Sequence, residues 1–238
     1  MSSLHPDIKA VLDGDSEGCI IHGDCLEIMA DMPDGCVDSV VTDPPYGMAF
    51  VSNRRAVKSG AIVGDGTLDL LKWACGTNVS HSRYVFCRWG NLRDVSQPKS
   101  AITWIKNNWS MGDLEHEHAR QSELVLFWPG PDHYWPDGRP RDVVFADRTG
   151  NIHHPSEKPV ELMEQVVAWT DGIVWDFFCG SGTTCVAAKK LGRRYIGIEI
   201  DEKYCQTACN RLRDTPRPLF TEPVEKKPDA LLFQEQAQ

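Results

Sequence analysis

The stretch Val37-Asp38-Ser39-Val40-Val41-Thr42-Asp43-Pro44-Pro45-Tyr46-Gly47 constrains this chain more than any other. Its apolar part reads as a strand buried on both faces. Prolines cannot continue a central strand, so the chain has to leave the sheet at Asp43. In an open α/β sheet, ligands sit outside the carboxyl ends of the strands. Asp43 and Tyr46 are therefore expected to project into a crevice.

A second strand-to-loop junction lies late in the chain. Gly172 to Phe178 reads as a strand and runs into Cys179-Gly180-Ser181-Gly182-Thr183-Thr184, which opens a helix over Gly182 to Leu191. Backbone N–H groups at such a helix start point at a ligand. No Gly-Lys-Ser/Thr follows, which argues against a nucleoside triphosphate loop. The next strand ends at Glu199, 19 positions after Gly180. An acid about 20 residues beyond a glycine turn suits ribose hydroxyls. Taken alone, this half fits a dinucleotide enzyme equally well.

A third element, His154-Pro155-Ser156-Glu157-Lys158-Pro159-Val160-Glu161-Leu162, precedes the glycine loop. Asp-Pro-Pro-Tyr, a His-Pro-x-x-Lys-Pro-x-x-Leu element and a Phe-x-Gly-x-Gly loop, in this order, resemble the circularly permuted beta group of amino-group DNA methyltransferases. The resemblance covers roughly residues 20–212 and decides against the dinucleotide reading. It implies a doubly wound α/β fold of methyltransferase (Rossmann-like) type and S-adenosylmethionine as cofactor. It also implies double-stranded DNA as substrate and methyl transfer to an exocyclic amine after base flipping.

The resemblance further assigns roles. Asp43, Pro44, Pro45 and Tyr46 are the expected catalytic residues. An exocyclic amine is a poor nucleophile because its lone pair is delocalised into the ring. Asp43 and the carbonyl of Pro44 offer the acceptors it needs, and the prolines hold that carbonyl rigidly. Tyr46 offers a flat face to an extruded base. The expected cofactor contacts are Asp24, Asp43, His154, Ser156, Lys158, Asp176, Phe177, Phe178, Gly180, Ser181, Gly182, Thr183, Thr184, Glu199 and Ile200. Among them Lys158 is expected to meet the methionine carboxylate. Asp24 fits contact with the adenine ring, and it equally fits a helix cap. Where the family has Asp-Pro-Phe this chain has Asp176-Phe177-Phe178, which keeps the acid and the aromatic and drops the proline. An aspartate heading Asp43-Pro44-Pro45-Tyr46 more often accompanies adenine, so N6-adenine is expected and N4-cytosine is the alternative. An RNA or protein amine methyltransferase and a non-catalytic DNA-binding relative are the rival classes.

Charge bears on the substrate. The net charge is −9, which runs against nucleic-acid binding, but residues 1–38 carry nine acids and one lysine. Residues 44–106 hold nine basic and three acidic groups, and 44–64 has Arg54, Arg55 and Lys58 with no acid. A basic loop directly after the proposed active site suits a phosphate backbone, and it suits an ordinary solvated loop as well. Lys106, Asn107, Arg139 and Arg141 are the other candidates for DNA contact, with exposed hairpin tips as the plain alternative for Lys106 and Asn107.

Seven strands are expected, over 18–22, 37–42, 83–88, 100–106, 122–128, 172–178 and 193–199, with a short extra strand considered over 143–145. The 172–178 strand is expected at the sheet centre beside 37–42. The domain reading is an arm over 1–17, a methyltransferase domain over 18–213 and a flexible tail over 214–238. Within the domain, 18–128 is the catalytic half, 129–153 a connecting or recognition loop, and 154–213 the cofactor half. Loops over 47–66, 107–121 and 129–152 stand in place of a separate recognition domain. Nine cysteines form no Cys-x-x-Cys pair, so reduced thiols and no metal site are expected. Met1 to Asp15 lacks the basic start and apolar core of a signal peptide, and no apolar run approaches the roughly 20 residues that span a bilayer. A cytoplasmic protein of a bacterium or a phage-infected cell is expected, and a homodimer is expected from the family.

Overall fold

Apolar runs too short for helices and rich in β-branched residues form the strands here, and the computed structural model joins them into one sheet. It describes residues 4–33, 35–48, 64–108, 115, 116, 118 and 120–218. The strands are β1 (Gly18–His22), β2 (Ser39–Thr42), β3 (Ser82–Cys87), β4 (Ser100–Ile105), β5 (Ser122–Pro129), β6 (Val143–Phe145), β7 (Val174–Asp176) and β8 (Tyr195–Glu199). Their spatial order is β1-β8-β7-β2-β3-β5-β4-β6. Only β5 runs against the others, paired antiparallel with both β3 and β4. The seven expected strands are all present, and β6 adds an eighth at the edge, parallel to β4.

Helices cover both faces, which is why β2 and β3 are buried along their whole lengths. Alternate residues feed different layers. Val41, Tyr84, Phe86, Val125 and Phe127 pack toward α4 (Val160–Ala168) and α5 (Thr183–Lys190). On the other face Val40, Trp175 and Ile198 pack toward α1 (Pro6–Asp13) and α2 (Cys25–Ala30). Val85 and Leu126 pack toward α3 (Asp69–Gly76). Each fully buried Val, Leu or Phe contributes about 1.5–3 kcal/mol relative to exposure. The last helix, α6 (Glu202–Asp214), lies against β1 and β8.

Residues 1–17 were expected as an arm, and 6–13 are instead a helix with Ile8 and Val11 fully buried. Pro6 starts it, and Gly14, at φ 88°, ends it, the usual asymmetry of proline at the start and glycine at the end. Pro159 caps α4. The expected tail overlaps the end of α6 at Asp214, and residues 219–238 lie outside the described residues. No helix among the described residues is long and apolar enough to cross a membrane.

Candidate active site

The parallel pairing of β2 with β7, Ser39 opposite Val174 and Val40 opposite Trp175, brings their carboxyl ends side by side. The Thr42 hydroxyl donates to Asp176 at 2.7 Å. Asp176 also accepts from the Thr184 hydroxyl at 2.5 Å and the Phe178 N–H at 3.2 Å. This one carboxylate therefore ties the Asp-Pro-Pro-Tyr strand, the glycine loop and the first turn of α5 together. Burial pushes its pKa up to about 6, against the pull of those three donors.

The glycine loop is shaped by backbone conformations that suit glycine. Gly180 sits at φ 50° and Gly182 at φ 80°, and a Cβ on Gly182 would meet the Ala208 Cβ at 2.7 Å. The Gly180 N–H donates to Glu199 at 2.7 Å, and the Asp201 N–H donates to the other oxygen of Glu199 at 2.9 Å. Burial raises the Glu199 carboxyl above its ordinary range, although both backbone donors oppose this. Asp24 caps α2 through the Leu26 N–H at 2.8 Å and also lines the cavity.

Asp43 has both oxygens engaged. One accepts from the Tyr46 hydroxyl and the other is paired with the Lys158 ammonium. Lys158 lies 3.6 Å from Glu123, and Glu123 is paired with Lys106 at 2.5 Å. Two carboxylates and two ammonium groups thus alternate as Asp43, Lys158, Glu123 and Lys106, drawn from the ends of β2, β5 and β4 and the approach to α4. Burial alone would lower the pKa of Lys158, but Asp43 and Glu123 outweigh it and raise it. Burial alone would raise that of Glu123, and the two lysines hold it below its usual range. At Asp43 burial wins, and the carboxyl is raised despite Lys158 and Tyr46. The Tyr46 phenol is pushed well above its ordinary value by burial and by Asp43, so it is a donor and not a base.

These groups share one cavity of about 750 Å³. Asp24, Asp43, His154, Ser156, Lys158, Asp176, Phe177, Phe178, Gly180, Ser181, Thr183, Thr184, Glu199 and Ile200 line it, with Pro44, Pro45 and Tyr46. Gly182 does not; it starts α5 against Ala208. The His154 ring packs on Tyr204 at 4.3 Å between centroids, and burial together with Lys158 lowers its pKa to about 4. It is a neutral imidazole whose Nδ1 accepts from the Ser156 N–H at 3.2 Å.

The DNA candidates fare unevenly. Lys106 lines the cavity but is buried, its charge facing Glu123. Asn107, Arg139 and Arg141 are exposed and lie away from the cavity wall. Arg54, Arg55 and Lys58 fall outside the described residues. Sequence reasoning missed Glu123, Arg88, Trp89 and Arg148 in the wall. It also missed Arg211, which donates to the Ser181 carbonyl at 2.8 Å and pairs with Glu157 at 3.3 Å, fastening the glycine loop to the His154–Pro159 segment. No spacing rule links positions so far apart. Only the polar ends of otherwise apolar strands, Lys106 after β4 and Glu123 at the start of β5, gave a signal.

Known proteins resemble this chain over most of its length. The family model described as DNA methylase (N6_N4_Mtase) matches residues 93–210. YubD of Escherichia coli (strain K12), named as a methylase, is 33% identical over 214 residues, covering 84% of this chain and 92% of its own. The type II methyltransferase M.HinfI of Haemophilus influenzae is 42% identical over 249 residues, covering 84% and 69%. Among solved structures, an M1.HpyAVI–SAM complex superposes with a TM-score of 0.62 at 27% identity, over 82% of this chain and 100% of that one.

Proposed function

This chain belongs to the N6/N4 family of amino DNA methyltransferases, and we propose that its acceptor is the exocyclic N6 amine of adenine in double-stranded DNA. The observation that carries the reading is the position of Asp43. Its carboxylate lies in the same cavity as the glycine loop, with the Pro44 carbonyl beside it in sequence and Tyr46 donating to it.

The cradle fits S-adenosylmethionine, the cofactor of this family. Gly180 keeps the loop open in a conformation that side chains rarely adopt, Glu199 ends β8 as a carboxylate suited to ribose hydroxyls, and Ile200 and Phe178 add apolar wall. Asp24 faces the same space and suits a ring amine. When bound, the cofactor supplies an electrophilic methyl group on a sulfonium sulfur. Lys158 is the cation placed for the cofactor carboxylate, and to serve it the ammonium has to leave Asp43.

The protein's part is to make the acceptor amine nucleophilic. Asp43 and the Pro44 carbonyl accept its two hydrogens and draw its lone pair out of conjugation with the ring. The two prolines fix that carbonyl in advance, so little reorganisation is left for the reaction itself. Because burial raises its pKa, Asp43 is also placed to receive the proton that the amine sheds. An amine inside a duplex does not reach the floor of a cavity, so the base is read as flipped out, with Tyr46 against its face. The aspartate heading the Asp-Pro-Pro-Tyr element is what favours adenine over cytosine.

The same reading takes residues 18–128 as the catalytic half and 154–213 as the cofactor half of a cytoplasmic enzyme. It includes a homodimer, for which β6 offers a sheet edge paired on one side only; sedimentation of the purified chain as a monomer at all concentrations would remove that part. The base is tested by incubating unmethylated DNA with the protein and S-adenosylmethionine, digesting it and resolving the nucleosides by mass spectrometry. N6-methyladenine is expected. N4-methylcytosine would keep the mechanism and overturn the base. Neither product, with cofactor shown to bind, would overturn the DNA reading and favour an RNA or protein amine.

A further inference from the structure

Beyond β3 the chain makes a 3-10 turn, Trp89–Asn91, and the indole of Trp89 is 72% exposed. A tryptophan so exposed is a departure from the rule for large aromatic side chains. Trp89 is also part of the cavity wall, next to Arg88 and in the same cavity as Arg148. Its mount is fixed. The Asn91 N–H donates to the Arg88 carbonyl at 3.0 Å, and the Asn91 side chain donates to the Tyr46 carbonyl at 3.0 Å. The turn that carries the indole is thereby fastened to the Asp43–Tyr46 turn.

Sheet order decides which ligand the indole faces. The glycine loop follows β7 and Glu199 ends β8, both on one side of β2. Trp89 follows β3, on the other side of β2, with β5 and β4 beyond. The indole is therefore displaced from the glycine loop and Glu199, across β2 from both. Asp43 keeps only 18% of its side chain exposed, so an acceptor base has to leave its stack to reach it, and that exposes flat apolar faces in the DNA.

We propose that Trp89 is a DNA-contacting residue whose indole stacks on a base of the substrate at the mouth of the cavity, with Arg88 and Arg148 as cations toward the backbone; this rests on the reading of the site as a DNA methyltransferase. Stacking on an aromatic side chain tolerates any base, because every base has a flat face. The contact thus positions the DNA without choosing the sequence.

The test compares Trp89→Ala and Trp89→Phe with the wild-type chain. DNA affinity is read by fluorescence anisotropy on a short labelled duplex over a range of salt, and S-adenosylmethionine affinity by calorimetry. Trp89→Ala is expected to weaken DNA binding about 10- to 100-fold, the usual range for losing one stacked base. Trp89→Phe should retain most of it. The slope of log affinity against log salt should stay as in wild type, since stacking releases no counterions. Arg148→Gln, by contrast, should lower that slope by about 1. Wild-type DNA affinity in Trp89→Ala would overturn the proposal. So would a parallel loss of cofactor affinity, which would place the indole on the cofactor, or conversion of a wild-type dimer to monomer, which would place it on a second copy. If the wild type methylates no base, the functional reading falls while the anisotropy on the same duplex still decides Trp89.

Discussion

Asp43→Asn separates two jobs that one carboxylate performs. Asparagine keeps the shape and still accepts from Tyr46, but it removes the charge that faces Lys158. The Lys158 and Asp43 side chains are only 10% and 18% exposed, so solvent screens the pair poorly. Removing one partner of a buried pair costs about 3–5 kcal/mol. Glu123, 3.6 Å from the same ammonium, takes up part of the orphaned charge, so a cost near 2–3 kcal/mol is expected. In a domain of this size each kcal/mol moves the melting temperature by about 2–4 °C, giving a fall of roughly 5–10 °C. Turnover should fall about 100- to 1000-fold, as when one preorganised group at a reaction centre is lost. Lys158→Met alone should melt low as well, because it leaves Asp43 buried without its cation. The double variant Asp43→Asn/Lys158→Met removes both charges and should melt within about 3 °C of wild type while remaining inactive. Thermal unfolding and nucleoside mass spectrometry on the four proteins give both readouts. Additive melting losses in the double variant would refute the ion pair as the stabilising unit. Near-wild-type turnover in Asp43→Asn with cofactor bound would refute Asp43 as the acceptor of the amine.

Three further outcomes are expected. Glu199→Gln removes the negative charge that the proposed function assigns to the ribose, and should weaken S-adenosylmethionine binding about 10- to 100-fold in calorimetry, as for hydrogen bonds to charged groups, while DNA affinity is unchanged. Asp176 titrates near 6 when folded and near 3.9 when unfolded, so the folded state holds the extra proton between those values and stability falls as pH rises through that window. Asp176→Asn should flatten that slope, changing the wild-type-minus-variant difference in urea unfolding by about 2–3 kcal/mol between pH 4 and 7; an unchanged difference would refute it. Gly182→Ala meets both a φ of 80° and the Ala208 Cβ, and should cost about 2–4 kcal/mol in denaturant unfolding; a loss under about 1 kcal/mol would show that the loop relaxes freely.

What was legible in the sequence was local. The run from Val37 to Val41 ending in two prolines declared both a central strand and where it stops. The spacing of the glycine loop and Glu199 set the two strand ends as neighbours, and the backbone bond from Gly180 to Glu199 joins them. The helix over Pro6–Asp13 was hidden because its apolar positions, Ile8, Val11 and Leu12, sit among acids that lowered the apparent periodicity. Strand β6 matches the short strand considered over 143–145, but its place at the sheet edge comes from pairing with β4, which no local pattern announces. The alternation of Asp43, Lys158, Glu123 and Lys106 escaped for the same reason. It depends on the antiparallel register that sets Trp104 opposite Glu123, and register is a property of two strands, not of one. Lys158 was assigned through a motif, and the structure adds that Asp43 and Glu123 already share it.

The place of β1 has a consequence for how such a chain comes into being. β1 spans Gly18–His22, yet its one neighbour in the sheet is β8, Tyr195–Glu199. β7, which separates β8 from β2, is likewise made late. A chain emerging from the ribosome therefore exposes β1 and one edge of β2 until almost the whole domain has been synthesised. Pairing across such a separation closes a long loop before any contact rewards it, which makes folding slow and leaves strand edges open to other chains. A nascent chain halted before β8 has neither a finished sheet nor the carboxylate of Glu199, so truncated products of this enzyme are aggregation hazards rather than weak catalysts.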